Sequence, residues 1–127
     1  MSKYEDVIVN ILKKEHIRFV REKTFLDLKG GRYRFDFYLT DYNTIIEVDG
    51  EQHFRQVKLY QKTKSDFLKT QEHDRRKNSY CLANQIPLYR IPYWEIINLK
   101  SLQDIMKHKF RVQNKWHNDR LKIPENF

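Results

Sequence analysis

Apolar residues recur with two different periods along this chain, and the switches between them mark its elements. Tyr4, Val7, Ile8, Ile11 and Leu12 fall three or four residues apart and predict a helix ending near Lys14. Ser2 is its expected N-cap, with Glu5 three residues on as the capping-box partner. Ile17 to Phe25 alternates in part and is rich in Phe, Val and Thr, which predicts a strand. Asp27-Leu28-Lys29-Gly30-Gly31 predicts a turn, and Tyr33 to Leu39 a second strand. Asp41-Tyr42-Asn43 turns the chain into a third strand, Thr44 to Asp49. A polar, basic stretch without a period then leads to a long helix, capped by Thr63 or Ser65 and reaching about Asn84. Its apolar marks, Phe67, Leu68, Tyr80, Cys81 and Leu82, leave its middle to solvent or a ligand. Ile86 to Ile91 predicts a short fourth strand closed by Pro92. Trp94 to about Lys107 predicts a final amphipathic helix with Trp94, Ile97, Leu102, Ile105 and Met106 facing inward. This mixed order predicts an α/β or α+β fold in which helices cover a sheet. Residues 1–107 read as one core domain and 108–127 as a basic, aromatic extension.

Two of the strand-like runs carry carboxylates where apolar residues are expected. Asp36 sits between Phe35 and Phe37, and Glu47 follows Ile45-Ile46. A buried carboxylate is costly unless something compensates it, and a metal ion is one such partner. If the second and third strands pair as a hairpin, Asp36 and Glu47 lie side by side. The competing account of Asp36 is an ion pair with Arg32 or Arg34. Period-two alternation puts Glu47 and Asp49 on one sheet face and Val48 on the other, in the core. Taken alone, Asp49-Gly50 is an ordinary hairpin-turn dipeptide.

Charge narrows the partners. The 127 residues carry a formal net charge of +8 and an isoelectric point near 9.6, an excess that attracts polyanions. The single cysteine, Cys81, rules out an intramolecular disulfide; with no secretory leader expected, the chain reads as cytoplasmic. Cys81 itself is expected to be a small buried hydrophobe and not a nucleophile. No run approaches the roughly 20 apolar residues needed to span a bilayer, so no membrane partner is expected.

Three motifs in order give the chain a family likeness: Glu47-Val48-Asp49-Gly50-Glu51-Gln52-His53, Asp74-Arg75-Arg76-Lys77-Asn78-Ser79-Tyr80-Cys81, and Leu88-Tyr89-Arg90-Ile91-Pro92-Tyr93. Together they resemble the PD-(D/E)xK nuclease superfamily over Tyr4 to Met106. The likeness is strongest to small phage and giant-virus members and to the very-short-patch-repair and homing-endonuclease branch. It implies a restriction-endonuclease-like αβββαβ core, a mixed four-stranded sheet flanked by helices. It also implies metal ligation by Asp36 and Glu47, with Glu5 on the first helix completing or supporting the site. Asp49 stands where the family usually has lysine. His53 and Asp74 match a histidine and an aspartate that take part in the repair and homing branch.

Phosphodiester hydrolysis needs an activated water, neutralisation of developing negative charge and protonation of the leaving oxygen. Mg²⁺ or Mn²⁺ can supply the first two, held by Asp36, Glu47, Asp49 and the carbonyl of Val48. His53 is a candidate acid, base or water-holder, with Gln52 to orient the phosphate. Lys77, one helical step from Asp74, is a candidate replacement for the missing strand lysine; the plainer account is an exposed helix ion pair. Arg75, Arg76 and Arg90 are candidate phosphate contacts, as are Lys58, Lys62, Lys64 and Lys69. In the extension the same role falls to Lys107, Lys109, Arg111, Lys115, Arg120 and Lys122. Trp116 and His117 are candidates for stacking on a base or wedging into a step; the commoner fate of a lone tryptophan is a core or dimer contact. The leading expectation is a Mg²⁺-dependent DNA endonuclease acting on double-stranded DNA as a monomer or homodimer. The alternatives are an inactive nuclease fold kept for binding DNA or a host protein, and an RNA-binding protein that uses charge alone.

Overall fold

Thr44–Asp49 forms a strand in which all six residues are buried, the mark of a strand with neighbours on both sides and cover on both faces. The computed structural model describes residues 2–51 and 64–111. Their order is α1 (Lys3–Lys14), β1 (Phe19–Lys23), a 3₁₀ turn (Lys29–Gly31), β2 (Phe35–Leu39) and β3 (Thr44–Asp49). It continues with α2 (Lys64–Ala83), β4 (Leu88–Pro92), a 3₁₀ helix (Tyr93–Asn98) and α3 (Leu102–Met106). The strands make one mixed sheet in the order β1-β2-β3-β4. The β1–β2 and β2–β3 pairs are antiparallel and β3–β4 is parallel. The fold is α+β, with α2 as the crossover from β3 to β4; Asp49-Gly50 therefore leaves the sheet and does not close a hairpin.

The two sheet faces are covered differently. On one face Phe37, Leu39, Ile46, Val48 and Ile91 meet Ile8, Ile11 and Leu12 of α1, together with Ile96, Leu99 and Ile105. Each large side chain fully buried here contributes roughly 1.5–3 kcal/mol of transfer free energy. The other face is smaller: Leu28, Phe35, Ile45, Ile86 and Leu88 gather around Cys81 of α2. The three residues that α2 buries are Asp74, Asn78 and Cys81, so this helix is held by polar contacts more than by an apolar stripe.

Element ends follow local chemistry. The Ser2–Glu5 capping box forms in both directions. His16 and Gln85 take φ of 58° and 55° just past α1 and α2. Beyond them Ile17 N donates to the Leu12 carbonyl and Ile86 N to the Cys81 carbonyl, each at 2.9 Å. These are left-handed helix stops made without glycine.

Two expectations need correction. The last helix is not continuous: Tyr93–Asn98 is 3₁₀, and Ser101 caps a separate α3. A three-residue period buries Tyr93, Ile96 and Leu99 on one line, and Ile97, expected inward, is 79% exposed. Just past the last helix the chain stays on the sheet. Arg90 N donates to the His108 carbonyl and Phe110 N to the Leu88 carbonyl, and Phe110 packs against the cluster around Cys81. Residues 108–110 thus run antiparallel beside β4.

Candidate active site

The ladder between β2 and β3 pairs Phe37 with Ile46, Tyr38 with Ile45 and Leu39 with Thr44. The next rank, Asp36 opposite Glu47, is bridged through side chains instead. Asp36 N donates to Glu47 Oε1 at 2.7 Å, and Val48 N donates to Asp36 Oδ2 at 2.8 Å. The cause is visible in β2: Phe37 packs into the α1 face while Phe35 packs into the α2 face. The strand turns over at Asp36, whose side chain is left at the splayed edge. Across the sheet, at the same rank of β1, Glu22 adopts a φ of 53°.

From the α2 side Lys77 Nζ reaches Glu47 Oε2 at 3.1 Å. The ammonium lies over the Phe35 ring, 5.2 Å from its centroid. Three ionisable side chains from three elements thus converge, with Glu47 only 2% exposed. Burial, and then the neighbouring Glu47 charge, push the Asp36 carboxyl up to about 8. Burial pulls the Lys77 ammonium down most strongly, but the charge and hydrogen bond of Glu47 together with the Asp36 charge outweigh it and hold the amine above the usual lysine value. The sequence suggested this reach from α2, and the structure brings Lys77 to the acidic pair.

Asp36 does not pair with Arg34, which faces Glu22 at 3.8 Å on the surface. Among the described residues no group of three His, Cys, Asp or Glu side chains is arranged to hold a metal ion. What the structure offers is a pair of hard oxygen donors, Asp36 and Glu47, the donor type a Mg²⁺-type ion takes. The pair fits such an ion in one respect: the Glu47 charge helps to push the Asp36 carboxyl up, and a cation between the two would relieve that repulsion.

Other nominated residues serve elsewhere. Glu5 accepts from Arg21 Nη2 at 2.6 Å and from Ser2 Oγ at 3.0 Å. It ties α1 to β1 and touches Asp36 only through its charge, which raises that carboxyl slightly. Val48 gives its amide to Asp36 and its side chain to the α1 face. Asp49, Asp74 and Arg90, expected in the reaction or on nucleic acid, form a buried clamp instead. Arg90 Nη1 lies 2.6 Å from Asp49, its Nη2 3.4 Å from Asp74, and its Nε 2.7 Å from Asn78 Oδ1. All four residues are at most 6% exposed, so none presents a charge to a phosphate or a substrate. Burial disfavours the Arg90 charge, yet Asp49 and Asp74 hold the guanidinium firmly protonated.

Arg75 and Arg76 are exposed on α2 and both ion-pair with Glu72. Lys109 and Arg111 are exposed next to the segment beside β4. Gln52, His53, Lys58, Lys62, Lys115, Trp116, His117, Arg120 and Lys122 lie outside the described residues. Sequence reasoning missed Arg21 and Asn78. Arg21 stacks 4.5 Å from the Phe37 centroid while holding Glu5, and Asn78 is the uncharged arm of the clamp. The one available signal was their spacing: Asn78 follows Asp74 at four residues and so shares its helix face. Cys81 is buried, and burial pushes its thiol up to about 12, which leaves it inert as a nucleophile. No protein-family model, curated protein or solved structure matches this chain.

Proposed function

We propose that this protein is a Mg²⁺- or Mn²⁺-dependent endonuclease of the restriction-endonuclease-like type, hydrolysing DNA phosphodiester bonds. One observation carries the reading: a half-buried carboxyl, Asp36, and a buried one, Glu47, meet where the β2–β3 ladder ends, with the Lys77 ammonium 3.1 Å from Glu47. The element order and the parallel β3–β4 pair are compatible with the αβββαβ core of that superfamily. The +8 net charge supplies attraction to a polyanion.

In this reading Asp36 and Glu47 would hold the divalent ion, which would supply Lewis-acid charge neutralisation at the phosphoryl group and activation of water. Lys77 supplies a fixed positive charge at the phosphate. Because it comes from a helix pinned to the sheet by the Arg90 clamp, it stays in place between turnovers. The position two residues after Glu47, Asp49, is committed to Arg90. The cation that the strand lacks is therefore delivered from α2.

A second reading has one observation in its favour. Both carboxylates already have protein partners, Val48 N for Asp36 and Lys77 for Glu47. A nuclease-like fold that binds DNA without cutting it is compatible with that closed network. Incubating supercoiled plasmid, single-stranded DNA and RNA with the protein and Mg²⁺ or Mn²⁺ separates the two. Nicked or linear product that disappears with EDTA supports the enzyme; plasmid, single-stranded DNA and RNA all left intact under both metals support the binder.

A further inference from the structure

A cleft of about 600 Å³ opens beside Lys77, between α2 and the chain from Lys29 to Arg34. Its wall carries Lys29, Arg32 and Arg34 on one side and His73 and Lys77 on the other. Lys77 lines this cleft and also pairs with Glu47, so the cleft and the candidate centre adjoin at this residue. Among the described residues its one carboxylate is Asp74, which is engaged in the Arg90 clamp. The Tyr33 and His73 rings meet across the cleft, their centroids 4.7 Å apart and their planes tilted by 37°. Arg32, Arg34 and His73 are exposed and Tyr33 is half-buried.

Spaced cations around a pair of rings are the chemistry of a nucleic-acid strand: phosphates take the charges and a base takes the ring face. The rings favour a single strand over a duplex, because a base reaches a ring face only when it is out of the duplex stack. We propose that the cleft seats an unpaired DNA segment next to the scissile position, its phosphates on Lys29, Arg32 and Arg34 and one base against Tyr33 and His73. The proposal rests on the nuclease reading for the orientation of the strand toward Lys77, but binding itself needs no cleavage.

The test is fluorescence anisotropy with a labelled single-stranded oligonucleotide and the matching blunt duplex, in EDTA, over a range of salt concentrations. Wild type is expected to bind the single strand more tightly than the duplex. Arg32→Gln/Arg34→Gln is expected to weaken single-strand binding at least tenfold and to flatten the salt dependence by about 1.4 in log–log slope, two phosphate contacts' worth. His73→Ala and Tyr33→Leu are each expected to weaken it about fivefold or more with the slope unchanged. Lys13→Gln/Lys14→Gln, the same charge removed from the exposed end of α1, is expected to change affinity less than twofold. Because His73 is exposed, its truncation leaves the fold intact and keeps the ring contribution readable if Tyr33→Leu unfolds. Unchanged affinity in Arg32→Gln/Arg34→Gln, equal loss in the α1 control, or duplex bound as tightly as single strand overturns the proposal. A protein that shows the expected binding pattern but cuts nothing leaves the cleft standing and removes the nuclease reading.

Discussion

The Asp36 main-chain amide donates to the Glu47 side chain at 2.7 Å, at the rank where the sheet ladder would otherwise join their two backbones. The same strand reversal that breaks the ladder leaves the Asp36 carboxyl half-buried where the β2–β3 ladder ends. The acidic pair is therefore built into how β2 packs on both faces, and its chemistry is open to direct perturbation.

Glu47→Gln removes one ligand of the proposed ion and keeps an oxygen for the Asp36 amide. If the pair holds a catalytic cation, metal-dependent cleavage falls about 10³-fold, since such a cation is worth several kcal/mol of transition-state stabilisation. Initial rates on supercoiled plasmid at saturating Mn²⁺ measure this. A variant that cuts as fast as wild type sinks the assignment of Glu47.

Lys77→Met tests the cation delivered by α2. Losing one preorganised charge at the phosphate costs about 10²–10³ in the cleavage rate constant, a larger factor than the accompanying loss of DNA affinity in EDTA. Lys77 also offsets the buried Glu47 charge. The variant is accordingly expected to melt lower in EDTA and to recover when Mg²⁺ binds the folded state. A rate equal to wild type assigns Lys77 to structure alone.

Arg90→Met leaves the buried Asp49 and Asp74 charges without their partner. Breaking a buried pair from one side costs roughly 3–5 kcal/mol, read as a drop in the urea midpoint at constant m-value. Adding Asp49→Asn and Asp74→Asn is expected to return part of that loss. An Arg90→Met protein of native stability but weakened DNA binding would reinstate Arg90 as a phosphate contact.

The Asp36 carboxyl gives a pH signature. Its folded-state value, about 8, lies above the ordinary aspartate value of 3.8, so between those limits the folded state binds the extra proton. Stability in EDTA is then fully expressed below about pH 4 for this group and declines as pH rises toward 8, by at most about 1.4 kcal/mol per pH unit. Asp36→Asn is expected to flatten that slope, and saturating Mg²⁺ to do the same in wild type by replacing the proton. Urea titrations from pH 5 to 8 with and without Mg²⁺ provide the check; parallel slopes in wild type and Asp36→Asn would remove Asp36 as the titrating group.

Much of the architecture is encoded locally. The period of Tyr4, Val7, Ile8, Ile11 and Leu12 specifies α1 along with its capping box. The run Thr44 to Asp49 specifies a fully buried strand, and carboxylates inside two apolar strands mark the exceptional positions. These are legible because helix and strand periods, caps and turns act over a few residues. The breaks in the last helix are also local in cause, but 3.0 and 3.6 residues per turn diverge too slowly over six residues for the pattern to separate them.

What the tertiary structure alone decides is which charges meet. Asp49 and Glu47 share a strand face and are indistinguishable by spacing, yet Arg90, 41 residues further along, takes Asp49, while Lys77, 30 residues on, takes Glu47. Helix α2 crosses the sheet so that one of its faces supplies Asp74 and Asn78 to Arg90 and its neighbouring Lys77 to the acidic pair. Coulomb attraction and desolvation depend on distance and burial in three dimensions. Sequence could nominate every one of these ionisable groups, and only packing could sort them into a clamp and a centre.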